Sequence, residues 1–332
     1  MARSYLSKRL DPLIRRFPAL RAFAWTLEAV ILGFLWLISY CLTPAAASRF
    51  GSFIMRSIGP LIFKHRDLLA NLHVMFPDRD EKDITMLARE VWGNLGSVMA
   101  EYPHLRHIAK SRVEIRMTDA ARRIVESREP AIYMAAHLAN WELVPACVVN
   151  LGIPLSVVYS PQQNPIVERM IQRQRTSTGY EFIAKADAFQ EIIQTLLQHR
   201  SVGLVPDQRA DAGELLTFFG HDAETTVIPA RIAHRVGCPV VPIRVERLRG
   251  CWFRITFDDP IDTHPELKGK EASIKSTREF LDRLEGWISA HPGQWLAIRQ
   301  RWPKVKTEVG ASVGTGLGAS AVAELGTAPN TD

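Results

Sequence analysis

The middle and carboxyl-terminal parts of the chain alternate short apolar runs with longer amphipathic stretches, and this alternation constrains the fold most strongly. Apolar runs of about four to eight residues bounded by turn residues are typical of strands, and apolar residues spaced three and four apart are typical of helices. The predicted strands are Ala131–Ala136, Pro154–Tyr159, Tyr180–Ile183, Ser201–Val205, Pro239–Val245 and Trp252–Phe257. The predicted helices between and after them are Leu138–Asn150, Asn164–Thr178, Ala186–His199, Thr226–Val236 and Ala272–Ala290. This order predicts an α/β fold with a mainly parallel sheet flanked by helices.

The amino-terminal segment is different in kind. Residues 24–43 are apolar apart from Glu28, and they are long enough to cross or enter a bilayer. The long basic lead before them favours a retained anchor over a cleaved signal peptide. The positive-inside rule places the amino terminus in the cytoplasm, and a single crossing would place the rest of the chain outside. A second apolar stretch, residues 50–63, either forms a hairpin with the first inside one leaflet, which keeps the whole chain cytoplasmic, or is an amphipathic core helix.

The chain is basic, with a net charge of +6 and a pI of about 9.2. This charge suggests an anionic partner, such as a membrane surface, a phosphorylated lipid, an acidic carrier protein or nucleic acid. Nucleic acid is the least favoured of these, because the arginines are dispersed and no nucleic-acid-binding motif is present. The four cysteines are scattered without metal-ligand spacing, so we expect reduced thiols and no metal site.

A histidine and a carboxylate follow the first predicted strand. His137 comes directly after Ala136, and Glu142 is five residues further along. Residues that far apart on one helix lie about 140° apart, so these two meet only if His137 is in the turn before the helix. Parallel sheets bind ligands at this edge, and a neutral histidine beside a carboxylate is a general base near neutral pH. The alternative is a helix-capping histidine with Glu142 as a solvated acid in the first helical turn.

Further polar residues follow other predicted strands. Asp207 and Gln208 end the strand 201–205, which places Asp207 either at the same sheet edge as His137 or in an ordinary turn. Arg169, Arg173 and Arg175 lie on the helix after Tyr159, and Arg173 can share a face with Arg169, one turn before it. These arginines either bind phosphate or carboxylate or form a solvated basic face. The chain has no GxSxG motif, so we expect no acyl-serine intermediate.

Taken in order, these residues resemble the bacterial lipid A late acyltransferase family, the lauroyl and myristoyl transferases of lipopolysaccharide biosynthesis. The resemblance spans about residues 32–304. Its marks are Asn71-Leu72, Phe76-Pro77, Asn94, Gly96, Glu101, His137, Glu142, Tyr159, Pro161, Asn164, Arg173, Arg175, Pro206-Asp207-Gln208, Phe218-Phe219-Gly220, Thr225, His291-Pro292-Gly293-Gln294-Trp295, Arg299 and Arg301-Trp302. HxxxxE alone is a weak motif, but the ordered set is specific.

The resemblance implies a glycerolipid-acyltransferase-like fold and an O-acyltransferase that needs no cofactor. The donor would be an acyl carrier protein or coenzyme A thioester, and the acceptor would be a hydroxyl of an anionic glycolipid, a lipid A precursor. The implied location is the bacterial inner membrane, with the catalytic domain on the cytoplasmic side. By the resemblance, His137 is the catalytic base and Glu142 is its orienting partner. The implied substrate-binding residues are Arg175, Asp207, Arg173, Asn140 and Gln208.

The sequence predicts three segments: an anchoring part over residues 1–63, an acyltransferase domain over 64–305, and a disordered tail over 306–332, which is rich in Gly, Ala, Ser and Thr. The motifs also fit an acyltransferase of the same fold acting on a lysophospholipid, a phosphatidylinositol mannoside or an ornithine lipid. A lipid-binding protein without enzymatic activity is a further alternative, but it leaves the gathering of His137, Glu142, Arg175 and Asp207 at one sheet edge unexplained.

Overall fold

The computed structural model describes residues 17–184 and 188–303. Its helices are α1 (Pro18–Cys41), α2 (Pro44–Ile58), α3 (His65–Met75), α4 (Glu81–Glu101), α5 (Leu105–Ser111), α6 (Asp119–Ser127), α7 (Leu143–Asn150), α8 (Pro165–Thr176), α9 (Ala188–Leu197), α10 (Ile228–Val236) and α11 (Lys270–Ala290). Its strands are β1 (Val113–Met117), β2 (Ile132–Met134), β3 (Leu155–Tyr159), β4 (Glu181–Ala184), β5 (Ser201–Leu204), β6 (Glu214–Phe218), β7 (His221–Thr225), β8 (Val240–Arg247) and β9 (Phe253–Phe257). Most of the basic lead and the predicted disordered tail lie outside the described residues.

Seven strands form one twisted sheet in the order β1-β9-β8-β2-β5-β3-β4. Every neighbouring pair is parallel except β8 with β9. The remaining strands, β6 and β7, form a separate antiparallel hairpin. The predicted α/β class with a mainly parallel sheet is therefore confirmed, and the carboxyl ends of β2, β5, β3 and β4 meet at one edge.

Two hydrophobic cores cover opposite faces of this sheet. Side chains alternate between the faces of a strand, so Ile132 and Met134 of β2 enter one core and Tyr133 and Ala135 enter the other. The first core contains residues from α3, α4, α9, α10 and α11. The second core contains residues from α5, α6, α7 and α8 together with Trp36 of α1. The sheet is thus the middle of three layers, as expected for strands buried on both faces.

Helix α1 packs against this domain along one side. The Trp36 ring stacks on Tyr102 with 5.5 Å between ring centroids, and the Trp36 indole N–H donates to the Met99 carbonyl at 2.9 Å. The Asn164 side-chain amide donates to the Trp25 carbonyl at 2.8 Å and to the Glu28 carboxylate at 3.0 Å. The opposite side of α1 exposes large apolar residues, namely Leu20, Phe23, Leu27, Val30, Phe34 and Leu37. By length and composition, α1 is the one helix of the described residues that is apolar enough to cross a membrane.

Helix α2 carries much of the second apolar stretch, and it crosses α4 at very short distance. A Cβ atom added at Gly51 would lie 2.1 Å from the Gly96 carbonyl oxygen, and one added at Gly96 would lie 2.1 Å from the Gly51 carbonyl oxygen. No side chain larger than hydrogen fits at either position. Packing of this kind is what the core-helix alternative for residues 50–63 predicts.

Several element boundaries differ from the sequence prediction. Strand β1, the β6–β7 hairpin and helices α5 and α6 were not predicted. The helix expected to start at Leu138 begins at Leu143, because residues 138–142 form a loop held by other hydrogen bonds, described below. Helix α4 begins at Glu81, and the Asp80 carboxylate caps it by accepting a hydrogen bond from the Asp83 N–H at 2.7 Å.

The glycine crossing predicts a sharp difference between two glycine substitutions. Gly51→Val should lower the free energy of unfolding by at least about 2 kcal/mol, because the new side chain forces α2 away from α4. Gly286→Ala on α11 is the matched control: nothing lies within 4 Å of its added Cβ, and alanine favours a helix over glycine by about 1 kcal/mol. Thermal unfolding of the two variants in detergent micelles measures the difference. Equal melting temperatures would contradict the close crossing.

Candidate active site

A cleft of about 2460 Å³ opens at the carboxyl-terminal edge of the parallel strands. Its wall includes four of the predicted site residues, His137, Glu142, Arg175 and Gln208. Ligand pockets for single small molecules usually measure about 300–1,000 Å³, so this cleft is large enough for more than one substrate group. Most of its other wall residues are apolar.

His137 is hydrogen-bonded to Asp207. The ring Nδ1 lies 2.7 Å from Asp207 Oδ1, and the His137 backbone N–H donates to Asp207 Oδ2 at 3.0 Å. The Trp295 indole N–H donates to the same Oδ2 at 2.8 Å. The Asp207 side chain has no exposed surface, whereas 18% of the His137 side chain is exposed. Asp207 therefore lies behind the histidine, and only the histidine reaches the cleft.

Asp207 is held in its ionised form. Burial alone would raise the pKa of this carboxyl, but the nearby His137 ring and the hydrogen bonds from His137 and Trp295 outweigh burial and lower the pKa. An ionised carboxylate can only accept hydrogen bonds, so the facing Nδ1 of His137 must carry the proton. In a neutral ring, Nε2 is then the unprotonated nitrogen.

Glu142 has a different partner from the one that the sequence predicted. Its carboxylate forms a two-point salt bridge with Arg175, with Nε 2.9 Å from Oε2 and Nη2 2.6 Å from Oε1. The Trp141 indole donates to Glu142 Oε1 at 3.0 Å, and the Trp141 ring lies beside the His137 ring, with 5.1 Å between ring centroids. The orienting partner of His137 is thus Asp207, because the Glu142 carboxylate is taken up by Arg175 and Trp141.

The Glu142–Arg175 pair lies in the cleft wall beside Tyr102 and is largely buried there. Burial would raise the pKa of Glu142, but Arg175 and the hydrogen bonds from Arg175, Tyr102 and Trp141 lower it overall. Burial and the Glu142 charge raise the pKa of Tyr102 well above its ordinary value, so this phenol stays protonated. Tyr102 also stacks on Trp36, which connects the buried ion pair to α1.

The loop 137–142 is clamped on both sides, and this explains why α7 begins late. The Ala139 N–H donates to the Gln294 carbonyl at 2.8 Å, and the Leu296 N–H donates to the His137 carbonyl at 2.9 Å. On the other side, the Asn94 side-chain amide donates to the Ala139 carbonyl at 3.0 Å. Ala139 has a φ of 48°, in the left-handed region, which costs a residue with a side chain about 1–2 kcal/mol. The surrounding hydrogen bonds offset this strain.

A buried polar network lies under the loop. Glu101 has no exposed surface and pairs with Arg247, whose Nη2 lies 3.1 Å from Oε2 and whose Nη1 contacts Oε1. Asn140 is also fully buried, and its amide donates to Glu101 Oε2 at 2.7 Å, while its Oδ1 accepts from the Glu142 N–H at 3.2 Å. Arg247 Nε donates to Asn94 Oδ1 at 3.0 Å. This network fixes the backbone between His137 and Glu142.

The predicted substrate-binding residues therefore separate into three groups. Arg175 and Gln208 are in the cleft wall, and Gln208 accepts a hydrogen bond from Arg299 at 2.8 Å. Asp207 and Asn140 are fully buried behind the cleft wall, where they hold His137 and the loop and have no surface for a substrate to contact. Arg173 is exposed and is outside the cleft wall, because residues two apart on a helix point in different directions.

Sequence reasoning gave no role to Trp295, Glu101 or Arg247. Trp295 and Glu101 belong to the motifs behind the family resemblance, so those motifs were the available signal. Arg247 is the last residue of β8 and is not part of those motifs, so it has no such signal. Within residues 17–184 and 188–303, no group of three or more histidines, cysteines and acids is placed to hold a metal ion.

The family model for bacterial lipid A biosynthesis acyltransferases matches residues 17–304 of this sequence. The chain belongs to this family. It is therefore an acyltransferase, and the resemblance drawn from its motifs is confirmed. The match spans α1, the parallel sheet and the loop that contains His137.

Other known proteins are more distant from this acyltransferase. Among the curated protein sequences, none matches it significantly. The crystal structure of the 1-acyl-sn-glycerophosphate (LPA) acyltransferase PlsC from Thermotoga maritima is similar at 15% sequence identity, with a TM-score of 0.33. That alignment covers 71% of this chain and 99% of the PlsC chain.

Glu142 and Asp207, the two buried carboxyl groups described above as having lowered pKa values, predict how the stability of the protein responds to acid. Their pKa values in the folded protein lie below the unfolded values of about 4, so their contribution is fully present above about pH 5. It is lost as the pH falls through the folded pKa values. Asp207→Asn removes one titrating group, so its melting temperature should fall less steeply with acid than that of the wild type. Parallel curves from pH 7 downward would contradict the lowered pKa of Asp207.

The network under the loop predicts a large cost for neutralising Glu101. Glu101→Gln leaves the buried Arg247 guanidinium without a counter-ion, and we expect a loss of about 3 kcal/mol of unfolding free energy. Glu114→Gln is the matched control, because Glu114 pairs with Arg116 and Arg254 on the exposed surface, where such pairs contribute little. Thermal unfolding distinguishes the two substitutions. An equal decrease in melting temperature for both variants would show that the Glu101–Arg247 pair contributes no more to stability than a surface pair.

Proposed function

We propose that this acyltransferase moves a fatty acyl group from an acyl carrier protein thioester to a hydroxyl of a lipid A precursor, with His137 as the general base. The observation that carries this proposal is the hydrogen bond between His137 Nδ1 and the ionised, fully buried Asp207. This hydrogen bond fixes the His137 tautomer that has its proton on Nδ1, so Nε2 is free to accept a proton. The His137 ring reaches the cleft.

The chemistry follows from this geometry. An alcohol is a weak nucleophile near pH 7, so His137 Nε2 removes its proton as the oxygen attacks the thioester carbonyl. The new C–O bond forms, the C–S bond breaks, and the imidazolium returns the proton to the leaving thiolate, which gives a free thiol. Asp207 stabilises the imidazolium between these two proton transfers. The histidine needs no serine nucleophile as an intermediary.

Glu142 and Arg175 have a related role in the proposal. The salt bridge uses Nε and Nη2, and Nη2 also donates to the Tyr102 hydroxyl at 3.5 Å, so the two N–H groups of Nη1 are left for an anionic group of the substrate. Glu142 then acts as the residue that positions Arg175, and Trp141 lies between this pair and His137. Gln208 and Arg299 offer additional donors in the cleft wall.

The membrane belongs to this proposal because of α1. Its unpartnered apolar side suits the acyl-chain region of a bilayer, and its other side contributes Glu28, Leu32 and Leu35 to the cleft. We place the protein on the cytoplasmic side of the bacterial inner membrane, since a lipid acceptor reaches the cleft from the bilayer and an acyl carrier protein reaches it from the cytoplasm.

The acceptor is tested with a panel of lipids. The purified full chain is incubated with fatty acyl thioesters of acyl carrier protein and of coenzyme A, and either a lipid A precursor or a lysophospholipid is supplied as acceptor. Mass spectrometry of lipid A from cells with and without the gene tests the same point in vivo. Transfer to the lysophospholipid alone, with unchanged lipid A in cells, would overturn the proposed acceptor.

The base mechanism predicts matched losses of activity. His137→Ala should lower kcat by at least about 10²-fold, the size expected when a general base is lost. Asp207→Asn should also lower kcat by at least about 10²-fold, because an amide that donates to Nδ1 would turn Nε2 into the protonated nitrogen. Asp222→Asn, an exposed acid-to-amide change on β7, is the control and should keep wild-type activity. Near-normal turnover by either of the first two variants would remove the His137–Asp207 pair from the mechanism.

A further inference from the structure

The cleft extends along both faces of the sheet. On the face toward α7 and α8, Tyr133 of β2, Gly203 of β5 and Val157 of β3 are neighbours in register, and all three line the cleft. Gly203 contributes no side chain, and a Cβ atom added there would lie 3.3 Å from Val157 Cγ2. Because Gly203 lines the cleft without a side chain, backbone forms the floor of a narrow trough over β5, between Tyr133 and Val157. We call this part of the cleft the first arm, and its other apolar walls are Val144, Val148, Ile171 and Tyr180.

The opposite face of the same strands lines a second arm. Val158 of β3 and Leu204 of β5 point to this face, because side chains alternate along a strand, and both belong to the first hydrophobic core. Phe189 and Ile192 of α9 and Val74 of α3 complete its apolar wall. His137 follows β2, the strand whose two faces contribute to both cores, so it lies where the two arms meet.

The two arms differ in charge. The charged residues beside the first arm are Glu28 and the Glu142–Arg175 pair, so its depth is almost wholly apolar. The second arm joins a part of the cleft wall that contains five basic residues, Lys64, Arg66, Arg209, Arg231 and Arg299, and four acids, Asp67, Glu81, Asp211 and Glu214. Lys64 pairs with Asp67, and Arg209 pairs with Asp211 and Glu224, so the cations that the acids leave available to a ligand are Arg66, Arg231 and Arg299. Among the described residues, no carboxylate forms a salt bridge with Arg299, and its exposed guanidinium donates to Gln208 next to Asp207.

We propose that the two arms bind two different hydrocarbon chains: the first arm holds the acyl chain of the thioester donor, and the second arm holds an acyl chain already attached to the acceptor. This inference rests on the proposed function. The donor brings only a single chain into the cleft once its thioester reaches His137, and an apolar trough suits it. The acceptor brings an anionic head group together with its chain, and it needs basic and apolar walls side by side.

Adjacent residues provide a matched pair of variants. Val157 and Val158 follow one another on β3, are both half-buried, and face the first and the second arm respectively. Val157→Phe would fill the trough over Gly203 and shorten the first arm, whereas Val158→Phe would narrow the second arm. The same chemical change is thus made once on each face of the sheet, and thermal unfolding of both variants controls for stability.

The experiment measures acyl transfer to the lipid A precursor from acyl carrier protein loaded with saturated chains of increasing length. Val157→Phe should lower kcat/KM for the longest accepted donor by at least about 10-fold relative to the shortest, since each misfit methylene costs this order of discrimination. Val158→Phe should keep the wild-type order of donor preference and raise KM for the acceptor by about 10-fold. A donor-length shift in Val158→Phe, or in neither variant, would overturn the assignment of the arms.

A binding measurement makes the inference testable without turnover. A non-cleavable fatty acyl thioether analogue with a diazirine on its terminal carbon is crosslinked to the full chain by light, and the labelled peptides are identified by mass spectrometry. We expect labels on α7, β2 and β3 residues of the first arm. Labels confined to α9 and α3 would overturn the proposal even if acyl transfer to lipid A is normal. If the wild-type protein transfers no acyl group while the first arm is labelled, the proposed function fails and the first arm remains a hydrocarbon site, but its pairing with an acceptor arm is overturned.

Discussion

A charged carboxylate without any exposed surface is stable only when hydrogen-bond donors surround it. The hydrogen-bond donors around Asp207 determine the arrangement of this site. The donors are the His137 ring, the His137 backbone N–H and the Trp295 indole. They come from the end of β2 and from the segment after α11, and Asp207 itself follows β5. The buried charge therefore ties three distant parts of the sequence together and leaves one histidine ring facing the cleft.

A second buried ion pair, Glu142 with Arg175, lies on the other side of the Trp141 ring. The loop between the two pairs cannot relax independently, because Asn94, Gln294 and the Glu101–Asn140 contact hold its backbone. Tyr102 stacks on Trp36, so the helix with the exposed apolar side is packed directly against this assembly. Helix α1 and the residues that we propose for proton transfer are thus packed into one assembly.

The sequence predicted the class of fold because the strand and helix periods are strong where both faces of the sheet are buried, as in β2 and β5. It missed β1, whose three middle residues are all exposed and include the charged Glu114 and Arg116. It also missed the β6–β7 hairpin, whose turn is made by Phe219 and Gly220, both with positive φ. Neither element has the apolar run of a central strand. The helix at Leu138 was predicted to start too early, because the hydrogen bonds that hold residues 138–142 come from Asn94 and Gln294, far away in sequence.

The sequence predicted which residues lie at the site, but it did not predict how they pair. The placement of His137 and Asp207 at one sheet edge follows from the parallel topology. Spacing in sequence favoured Glu142 as the partner of His137, but the pairing is decided by which carboxylate lies next to β2 across the sheet. Only the folded chain shows that Arg175 takes up Glu142, since a salt bridge between a loop and α8 has no local sequence signal.

The central claim is that the neutral form of the His137 ring carries its proton on Nδ1, toward Asp207, and has a free Nε2, and nitrogen NMR tests it most directly. The full chain in detergent micelles, labelled with ¹⁵N in its histidine rings, is compared with the His137→Gln variant to assign the signal. At a pH where the ring is neutral, we predict a protonated, hydrogen-bonded Nδ1 and an unprotonated Nε2, and the pattern should change in Asp207→Asn. A signal that shows the proton on Nε2, or one that Asp207→Asn leaves unchanged, would contradict the account.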